Sequence, residues 1–337
     1  MNGKILISLF IALCSTASVF AQYSSEIQEN IELLLNPETQ EDAVVYIFGQ
    51  IQENPTEVLE NKVSLAANLN KAIETTDFHY GIASLTLEVC GSDFFELSAE
   101  SERKLAAHNE SLRQKLKQTE NYHDWIWDDE AYKDARADSC IILDILGFGS
   151  TEASMEELKA SLDYFIDNRP KYFAVSGLML RGQDVNNSHF ESLAKDDETR
   201  GLIYQFLEGT SQLKYFPKAY NNQKELSKAD MVNWLIYPTE LARVPTEIEL
   251  VEIFTIEYSD VGPADFYLWK FRSDDEVFKE DGWMAGLSGP FVRSETPTMD
   301  AYGYTFSSFD SLDEMTPQEH FEGIMKLIED WNEQSDD

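Results

Sequence analysis

The sequence predicts a predominantly helical α+β fold, in which an N-terminal array of helices is followed by a small antiparallel sheet and a final helix. From Ser25 to about Pro238, apolar residues recur at intervals of three and four, as they do on the buried side of a helix. Later segments are rich in β-branched and aromatic residues that alternate along the chain, which is typical of strands. We therefore predict a helical domain over residues 22–240 and an α+β domain of four strands and one helix over residues 245–337.

The charge balance limits the classes of partner. The chain has 337 residues, of which 62 are Asp or Glu and 26 are Lys or Arg, so its formal net charge is −36. Such a surface repels nucleic-acid phosphates and anionic membranes, because both kinds of binding depend on cationic side chains. Residues 241–337 carry 23 acidic and 6 basic residues, so a partner recognised through charge is expected to be a cationic protein surface or a divalent cation. Apolar residues make up 43% of the chain, which is enough to bury a core.

The first 21 residues match a secretory signal peptide. A single charged residue, Lys4, precedes the apolar run from Ile5 to Cys14, and small residues lead to Ala21. A run of ten residues is too short to span a bilayer. We expect cleavage after Ala21 and a periplasmic or secreted protein without a membrane span. A lipid anchor at Cys14 is the less favoured alternative, because Leu13 stands where lipoprotein signals have a small residue.

Capping residues mark the starts of several helices in the first part of the chain. A helix start is indicated by an N-cap side chain that is followed by proline or, three residues later, by Glu. About ten to twelve helices of three or four turns are expected, and such a series makes either a bundle or a stacked solenoid. The predicted starts are Asn36-Pro37, Asn54-Pro55 with Glu57, and Ser154 with Glu157.

Internal similarity favours the solenoid. Two segments that end at Gly147 and Gly182 run from an acidic turn through basic and small residues to Leu-Gly or Leu-x-Gly, and these glycines are 35 residues apart. This period fits a two-helix repeat, in which each unit buries its apolar face by stacking on its neighbours. The residues that follow the pattern best are Asp167, Pro170, Lys171, Ala174, Gly177 and Leu178.

These residues resemble the turn and second helix of a HEAT repeat. The resemblance covers about residues 40–210 and implies an α-solenoid-like, helical-repeat array with an extended surface for binding or scaffolding. It does not imply an activity. The first of the two segments departs from the HEAT pattern, because its Leu-Gly comes about one helical turn late after Arg136.

Four strands are expected in the second domain. From Ile248 to Tyr258 the alternation of apolar residues slips phase midway, as expected of a strand with a bulge or with two buried faces. From Phe266 to Arg272 it is regular, so that alternate aromatic residues share one face of the sheet. The two further strand candidates are 282–292 and 302–309.

The last predicted element is a helix that covers one face of this sheet. Thr316 and Glu319 form a capping box with Pro317 in first position. The helix carries one apolar stripe, as an amphipathic helix on a sheet does. The residues of this stripe are Phe321, Ile324, Met325, Ile328 and Trp331.

The sequence contains no recognisable catalytic motif. The segment from Gly286 to Pro290 resembles a nucleophile elbow only superficially, because proline replaces the last glycine, and we interpret it as a strand ending in a turn. No two of the five histidines lie within four residues, so there is no local zinc pair, although ligands distant in sequence stay open. Acidic clusters such as 128–130 lack the spacing of a calcium loop. We therefore predict no catalytic residue, no metal ligand and no cofactor, and the sequence favours a protein that is not an enzyme.

Aromatic residues provide the candidate ligand-binding residues. Exposed rings form platforms for sugars or peptides, whereas buried rings belong to the core, and the sequence favours the core while leaving both open. Lys270 is a further cation beside the strand residues. The candidates are Trp125 and Trp127 in the helical part, and Trp269, Phe271, Arg272 and Trp283 in the sheet.

Two cysteines follow the predicted cleavage site. An oxidising compartment permits Cys90 and Cys140 to form a disulfide. Their apolar flanks instead favour small buried residues on helices. The pairing stays open at this point.

Two functions follow from these observations. The favoured one is an exported, non-enzymatic binding or scaffold protein that binds a protein or a cell-envelope ligand. The alternative is an exported hydrolase of a polysaccharide or peptide, in which Asp128, Asp129 or Glu130 act as a carboxylate pair beside Trp125 and Trp127.

Overall fold

The computed structural model of the chain describes residues 26–237, 241–274, 282–303, 305–312 and 315–335. Within these ranges the chain forms thirteen α-helices, three short 3₁₀-helices and four strands, which confirms the predominantly helical α+β class. The predicted signal peptide lies outside the described residues. The helices are α1 (26–33), α2 (Gln40–Glu53), α3 (Pro55–Glu60), α4 (Lys62–Thr75), α5 (Tyr80–Val89), α6 (Ala99–Lys115), α7 (Glu130–Gly147), α8 (Glu152–Tyr164), α9 (Asn168–Leu180), α10 (Asn187–Lys195), α11 (Arg200–Gly209), α12 (Gln223–Ile236) and α13 (Pro317–Ser335).

The strands form one antiparallel sheet in chain order. They are β1 (Glu247–Tyr258), β2 (Gly262–Arg272), β3 (Met284–Val292) and β4 (Phe306–Ser311). The register of β1 on β2 shifts between Leu250 and Glu252, which agrees with the bulge, one of the two alternatives that the phase slip in the sequence left open. Among the described residues, no helix is both long and apolar enough to cross a membrane.

The chain divides into two compact units that differ from the predicted domains. The first contains the described residues up to Gln118 together with Ala131–Phe165 and Phe173–Asp184. The second contains Thr119–Glu130, Ile166–Tyr172 and the described residues from Val185 onward. The predicted boundary at 240–245 therefore falls inside the second unit, because α10, α11 and α12 group with the sheet.

The capping predictions were partly correct. At α13, the Thr316 backbone N–H donates to Glu319 Oε2 at 2.8 Å and the Glu319 N–H donates to Thr316 Oγ1 at 3.3 Å, which confirms that capping box. Asn54 is the N-cap of α3, without a side-chain capping bond. The other two starts were wrong, because α2 begins after Thr39 and α8 begins after Thr151. In α8, the side chain of Thr151 accepts the Ser154 N–H, so Ser154 lies inside the helix.

The second candidate HEAT segment is helical where the resemblance expects it. Asp167 directly precedes α9, and the other matching residues lie on this helix. Membership of the HEAT family stays a prediction.

A buried polar seam joins α6 to α8 in the first unit. Glu102 is fully buried and accepts hydrogen bonds from the backbone N–H groups of Ser150 at 2.9 Å and Thr151 at 2.8 Å, and from the hydroxyl of Ser154. Burial opposes ionisation of this carboxyl, but these hydrogen bonds outweigh it and lower its pKa. A Cβ atom on Gly149 would lie 2.5 Å from Glu102 Oε2, so the close approach requires glycine.

The same seam continues two turns further along α6. Arg113 forms a two-pronged ion pair with Glu157, with both N–O distances at 2.9 Å. Asn109 is fully buried, donates to Glu157 Oε1 at 2.6 Å and accepts a hydrogen bond from Ser139 at 2.7 Å. Glu157, which the sequence suggested as a capping residue, instead holds the two helices together.

Strands β2 and β3 of the second unit's sheet are buried on both faces. Helix α13 covers one face, as predicted, and α12 covers the other. The contact with α12 is close, because a Cβ atom on Gly286 would lie 2.6 Å from Met231 Sδ. The buried residues under α13 are Phe266, Leu268, Ala285 and Leu287, and those under α12 are Tyr267, Trp269, Phe271, Met284 and Phe291.

We expect Glu102→Ala to lower the free energy of unfolding of the first unit by about 3 kcal/mol, because five N–H and O–H donors of Ser150, Thr151 and Ser154 lose their acceptor. Urea denaturation followed by circular dichroism measures this change. Glu100→Ala is the matched control, since Glu100 lies on the same helix and makes an exposed ion pair with Arg103. Equal effects of the two variants would contradict the role given to Glu102.

We expect a fragment of residues 245–337 to lack a cooperative unfolding transition. Without α12, the apolar face that contains Trp269 and Phe271 is exposed to water, so the fragment loses a large part of its hydrophobic stabilisation. A fragment of residues 185–337 restores this helix and is expected to unfold cooperatively with temperature. Cooperative unfolding of the shorter fragment would show that α12 is dispensable.

We expect Asp230→Asn to stabilise the second unit at pH 8 more than at pH 5. Burial raises the pKa of Asp230 to about 6, despite a hydrogen bond from Thr305 that lowers it. The pKa of an aspartate in the unfolded chain is about 4, so the burial of Asp230 does not reduce stability below pH 4. The free energy of unfolding then falls as the pH rises through the folded-state pKa of about 6. Melting temperatures at the two pH values measure the difference. Asp300→Asn, at an exposed site, is the control and should change neither value.

Candidate functional site

A polar cluster around Asp196 joins three separate segments of the second unit. Asp196 and Glu198 lie in the turn between α10 and α11, His123 lies in the 3₁₀-helix Tyr122–Asp124, and Asn168 begins α9. We call these residues, together with Tyr122, the Asp196 cluster.

Asp196 holds the cluster together through one oxygen atom. Its Oδ2 accepts hydrogen bonds from the Tyr122 hydroxyl at 2.6 Å and from Asn168 Nδ2 at 2.9 Å, and lies 3.1 Å from His123 Nε2. Its Oδ1 accepts the Glu198 backbone N–H at 2.9 Å. Burial opposes ionisation, but these contacts outweigh it and hold the pKa of Asp196 well below its usual range. The carboxyl is therefore ionised at neutral pH.

The imidazole of His123 is oriented by this carboxylate. Its side chain is 29% exposed, and its ring stacks on the Trp127 ring with 6.2 Å between centroids. Burial disfavours the imidazolium, but the hydrogen bond and charge of Asp196 outweigh burial and raise the pKa of His123. Because Asp196 accepts from Nε2, the neutral ring carries its proton on Nε2.

Glu198 brings a second carboxylate to the cluster. It is fully buried, and the Tyr237 hydroxyl donates to its Oε1 at 3.3 Å. Arg169 Nη1 lies 3.9 Å from the same oxygen, with its guanidinium 4.9 Å from the centre of the Tyr237 ring. One nitrogen of His123 and one oxygen each of Asp196 and Glu198 lie within 4.8 Å of one another, which is a set of ligands that a divalent metal ion can use.

A second candidate site is a cavity beside the start of α12, which we call the α12 groove. It has a volume of about 420 Å³, within the range of small-ligand sites. The buried rings of Tyr267 and Phe291 form its floor. Its polar lining comes from Asn221, Asn222, Gln223, Asp265, Arg293, Ser294 and Glu295.

Some of these polar groups form hydrogen bonds or ion pairs within the wall of the α12 groove, and others can form hydrogen bonds with a ligand. Gln223 exchanges two hydrogen bonds with the backbone of Thr298, at 2.8 and 2.9 Å. Arg293 forms a two-pronged ion pair with Asp265, with both N–O distances at 2.8 Å. Among the described residues, none forms a hydrogen bond with the Asn221 amide, the Tyr267 hydroxyl or Arg293 Nη1, although the Tyr267 hydroxyl interacts electrostatically with Asp265 and Arg293. These three groups can therefore bind a ligand.

No family model, curated protein or solved structure matches this chain. The assignment of a function therefore depends on the geometry of the Asp196 cluster and of the α12 groove.

Two of the predicted ligand-binding residues belong to the core. Trp269 and Phe271 are buried beneath α12, so they cannot present ring faces to a ligand, and the core alternative is correct for both. The Trp269 indole donates to the hydroxyls of Ser227 at 3.0 Å and Ser288 at 3.1 Å. Ser288 is itself fully buried in β3, as the strand interpretation of that segment expects.

Arg272 is exposed and lies beside the half-buried Trp283. The Arg272 guanidinium is 4.9 Å from the centre of the Trp283 ring, and Lys270 Nζ is 4.2 Å from it. Both cations are also paired, Arg272 with Glu247 and Lys270 with Glu249. The half-buried tryptophan is therefore covered by cations that already have acidic partners.

The two tryptophans of the helical part are half-buried. The Trp125 indole donates to Thr119 at 3.0 Å, and Trp127 stacks on His123 in the Asp196 cluster. Asp128, a carboxylate of the hydrolase alternative, forms an ion pair of 2.7 Å with Arg243.

The cysteines lie on or beside helices, as expected. Cys140 is buried in α7, and Cys90 follows the last residue of α5. Cys90 carries a free thiol, and burial raises its pKa to about 12, with a smaller contribution from Asp144. This thiol is therefore a poor nucleophile at neutral pH.

Sequence reasoning missed both candidate sites. His123 and Asp196 are 73 residues apart, so no local spacing rule connects them. The groove residues come from three elements and their turns, and among them only Tyr267 belonged to an aromatic set that the alternation had singled out. The nearest signal in the sequence was the position of Trp127 four residues after His123.

Proposed function

We propose that this protein is an exported, non-enzymatic binding protein whose ligand is a neutral saccharide of the cell envelope, held in the α12 groove. One observation carries this proposal. A single cavity of about 420 Å³ combines an aromatic floor with three polar groups that make no hydrogen bond among the described residues. Export rests on the signal-peptide pattern of the first 21 residues.

The charges in the α12 groove favour a neutral ligand. Asp265 and Arg293 neutralise each other through their ion pair, and Glu295 adds a negative charge to the lining. An anionic ligand would meet this charge as well as the acidic surface of the whole chain.

The available groups match hydroxyl-rich ligands. The Asn221 amide both donates and accepts, the Tyr267 hydroxyl does the same, and Arg293 Nη1 donates. Saccharide hydroxyls satisfy all three, whereas an apolar ligand would leave them without partners at a cost in affinity. A saccharide therefore fits the α12 groove better than a hydrophobic ligand does.

We expect residues 22–337 to bind members of an array of neutral oligosaccharides, with affinity unchanged by salt. Tyr267→Phe and Asn221→Ala should each weaken binding about tenfold, because each removes one hydrogen bond to the ligand. Isothermal titration with the best oligosaccharide measures these effects. Gln52→Ala removes an exposed amide of the first unit and is the matched control. Capture of peptides alone, or equal binding by all variants, would refute the assignment.

The same experiment distinguishes the hydrolase alternative from the binding protein proposed above. We expect the bound oligosaccharide to be recovered intact, as measured by release of reducing ends over a day. Cleavage that survives Tyr267→Phe but is lost in Asp128→Asn would instead support the carboxylate pair beside Trp125 and Trp127.

A further inference from the structure

We infer that the Asp196 cluster is a binding site for one divalent transition-metal ion, with His123, Asp196 and Glu198 as its protein ligands. The three ligands are not residues of the α12 groove, so the metal inference and the saccharide proposal do not depend on each other. The inference is based on the type, position and burial of the three side chains.

The ligand atoms are already close to the spacing of a metal site. Zinc lies about 2.0–2.2 Å from nitrogen and carboxylate ligands, so two ligands of a tetrahedral site are about 3.4 Å apart. His123 Nε2 and Asp196 Oδ2 are 3.1 Å apart, and the whole set lies within 4.8 Å. Binding therefore requires the more distant ligand atoms to approach by up to about 1.4 Å. The ion replaces the proton on Nε2, and the neutral ring then carries its proton on Nδ1.

The residues around Asp196 are arranged as supports of a metal ligand. The Tyr122 hydroxyl and Asn168 Nδ2 both donate to Asp196 Oδ2, and Asn168 is itself held by the Ser192 hydroxyl at 2.9 Å. Hydrogen bonds of this kind orient a ligating carboxylate and contribute to metal affinity.

Burial separates this cluster from the many acidic groups on the surface. Glu198 is fully buried and the Asp196 side chain is 9% exposed. The nearby charges of Arg169, which lies 3.9 Å from Glu198, and of Lys171, which lies 3.4 Å from Asn168 Oδ1, oppose a cation. Asp196, Glu198 and the buried Asp167 supply three negative charges, which outnumber these two cations.

The ligand types favour zinc over calcium or magnesium. Imidazole nitrogen suits zinc and its neighbours in the first transition row, whereas calcium and magnesium prefer sites made only of oxygen. Three protein ligands leave at least one position for water. The expected occupant is therefore Zn²⁺ with an open coordination position.

The test is a titration of the metal-free protein, residues 22–337, with ZnCl₂ and with CoCl₂. We expect one Zn²⁺ per chain by elemental analysis, a rise in melting temperature, and a Co²⁺ absorption spectrum typical of nitrogen and oxygen ligands. His123→Gln should weaken Zn²⁺ binding about 100-fold and abolish the spectrum. Asn168→Ala, which removes a supporting donor, should weaken it about tenfold to 100-fold.

His108→Gln is the matched control, since His108 is a histidine of the first unit outside the cluster. It should leave both Zn²⁺ stoichiometry and affinity unchanged. Circular dichroism of each metal-free variant separates loss of the site from loss of the fold. Weak Zn²⁺ binding without fixed stoichiometry, or the same affinity in a folded His123→Gln protein, would overturn the inference.

Discussion

Burial of both faces of one small sheet is the constraint on which the second unit depends. Strand β2 alternates Phe266 and Leu268 on one face with Tyr267, Trp269 and Phe271 on the other, so neither face tolerates water. Helix α13 follows the sheet in sequence and covers the first face, but the second face requires a helix from earlier in the chain. Helix α12 meets this need and is therefore part of the same folding unit as the sheet.

The α12 groove lies on the same face of the sheet. It is beside the start of α12, where polar side chains surround the floor formed by Tyr267 and Phe291. The ion pair between Arg293 and Asp265 closes one side without consuming every donor.

In the first unit, α6 packs against α8 through buried polar contacts. Along α6, Glu102, Asn109 and Arg113 recur at intervals of seven and four residues, so that they share one face, and this face is buried against α8. The pattern can be recognised in the sequence once α8 is known to be the partner. Without that knowledge, Glu102 and Arg113 resemble any charged residues on a solvated helix, because helical periodicity does not identify which neighbour covers a face.

The sequence by itself determined the helical and strand content, the capping box of α13 and the covering of one sheet face by that helix, and it marked the irregularity in β1 without deciding between a bulge and two buried faces. These features depend on residues close together in the chain, where spacing and capping chemistry act directly. Only the tertiary structure decided that α12 covers the other face, that Trp269 and Phe271 are core residues, and that His123 meets Asp196 and Glu198. Those outcomes depend on contacts between residues distant in sequence, and alternation or helical periodicity shows that a side chain will be buried without showing what buries it.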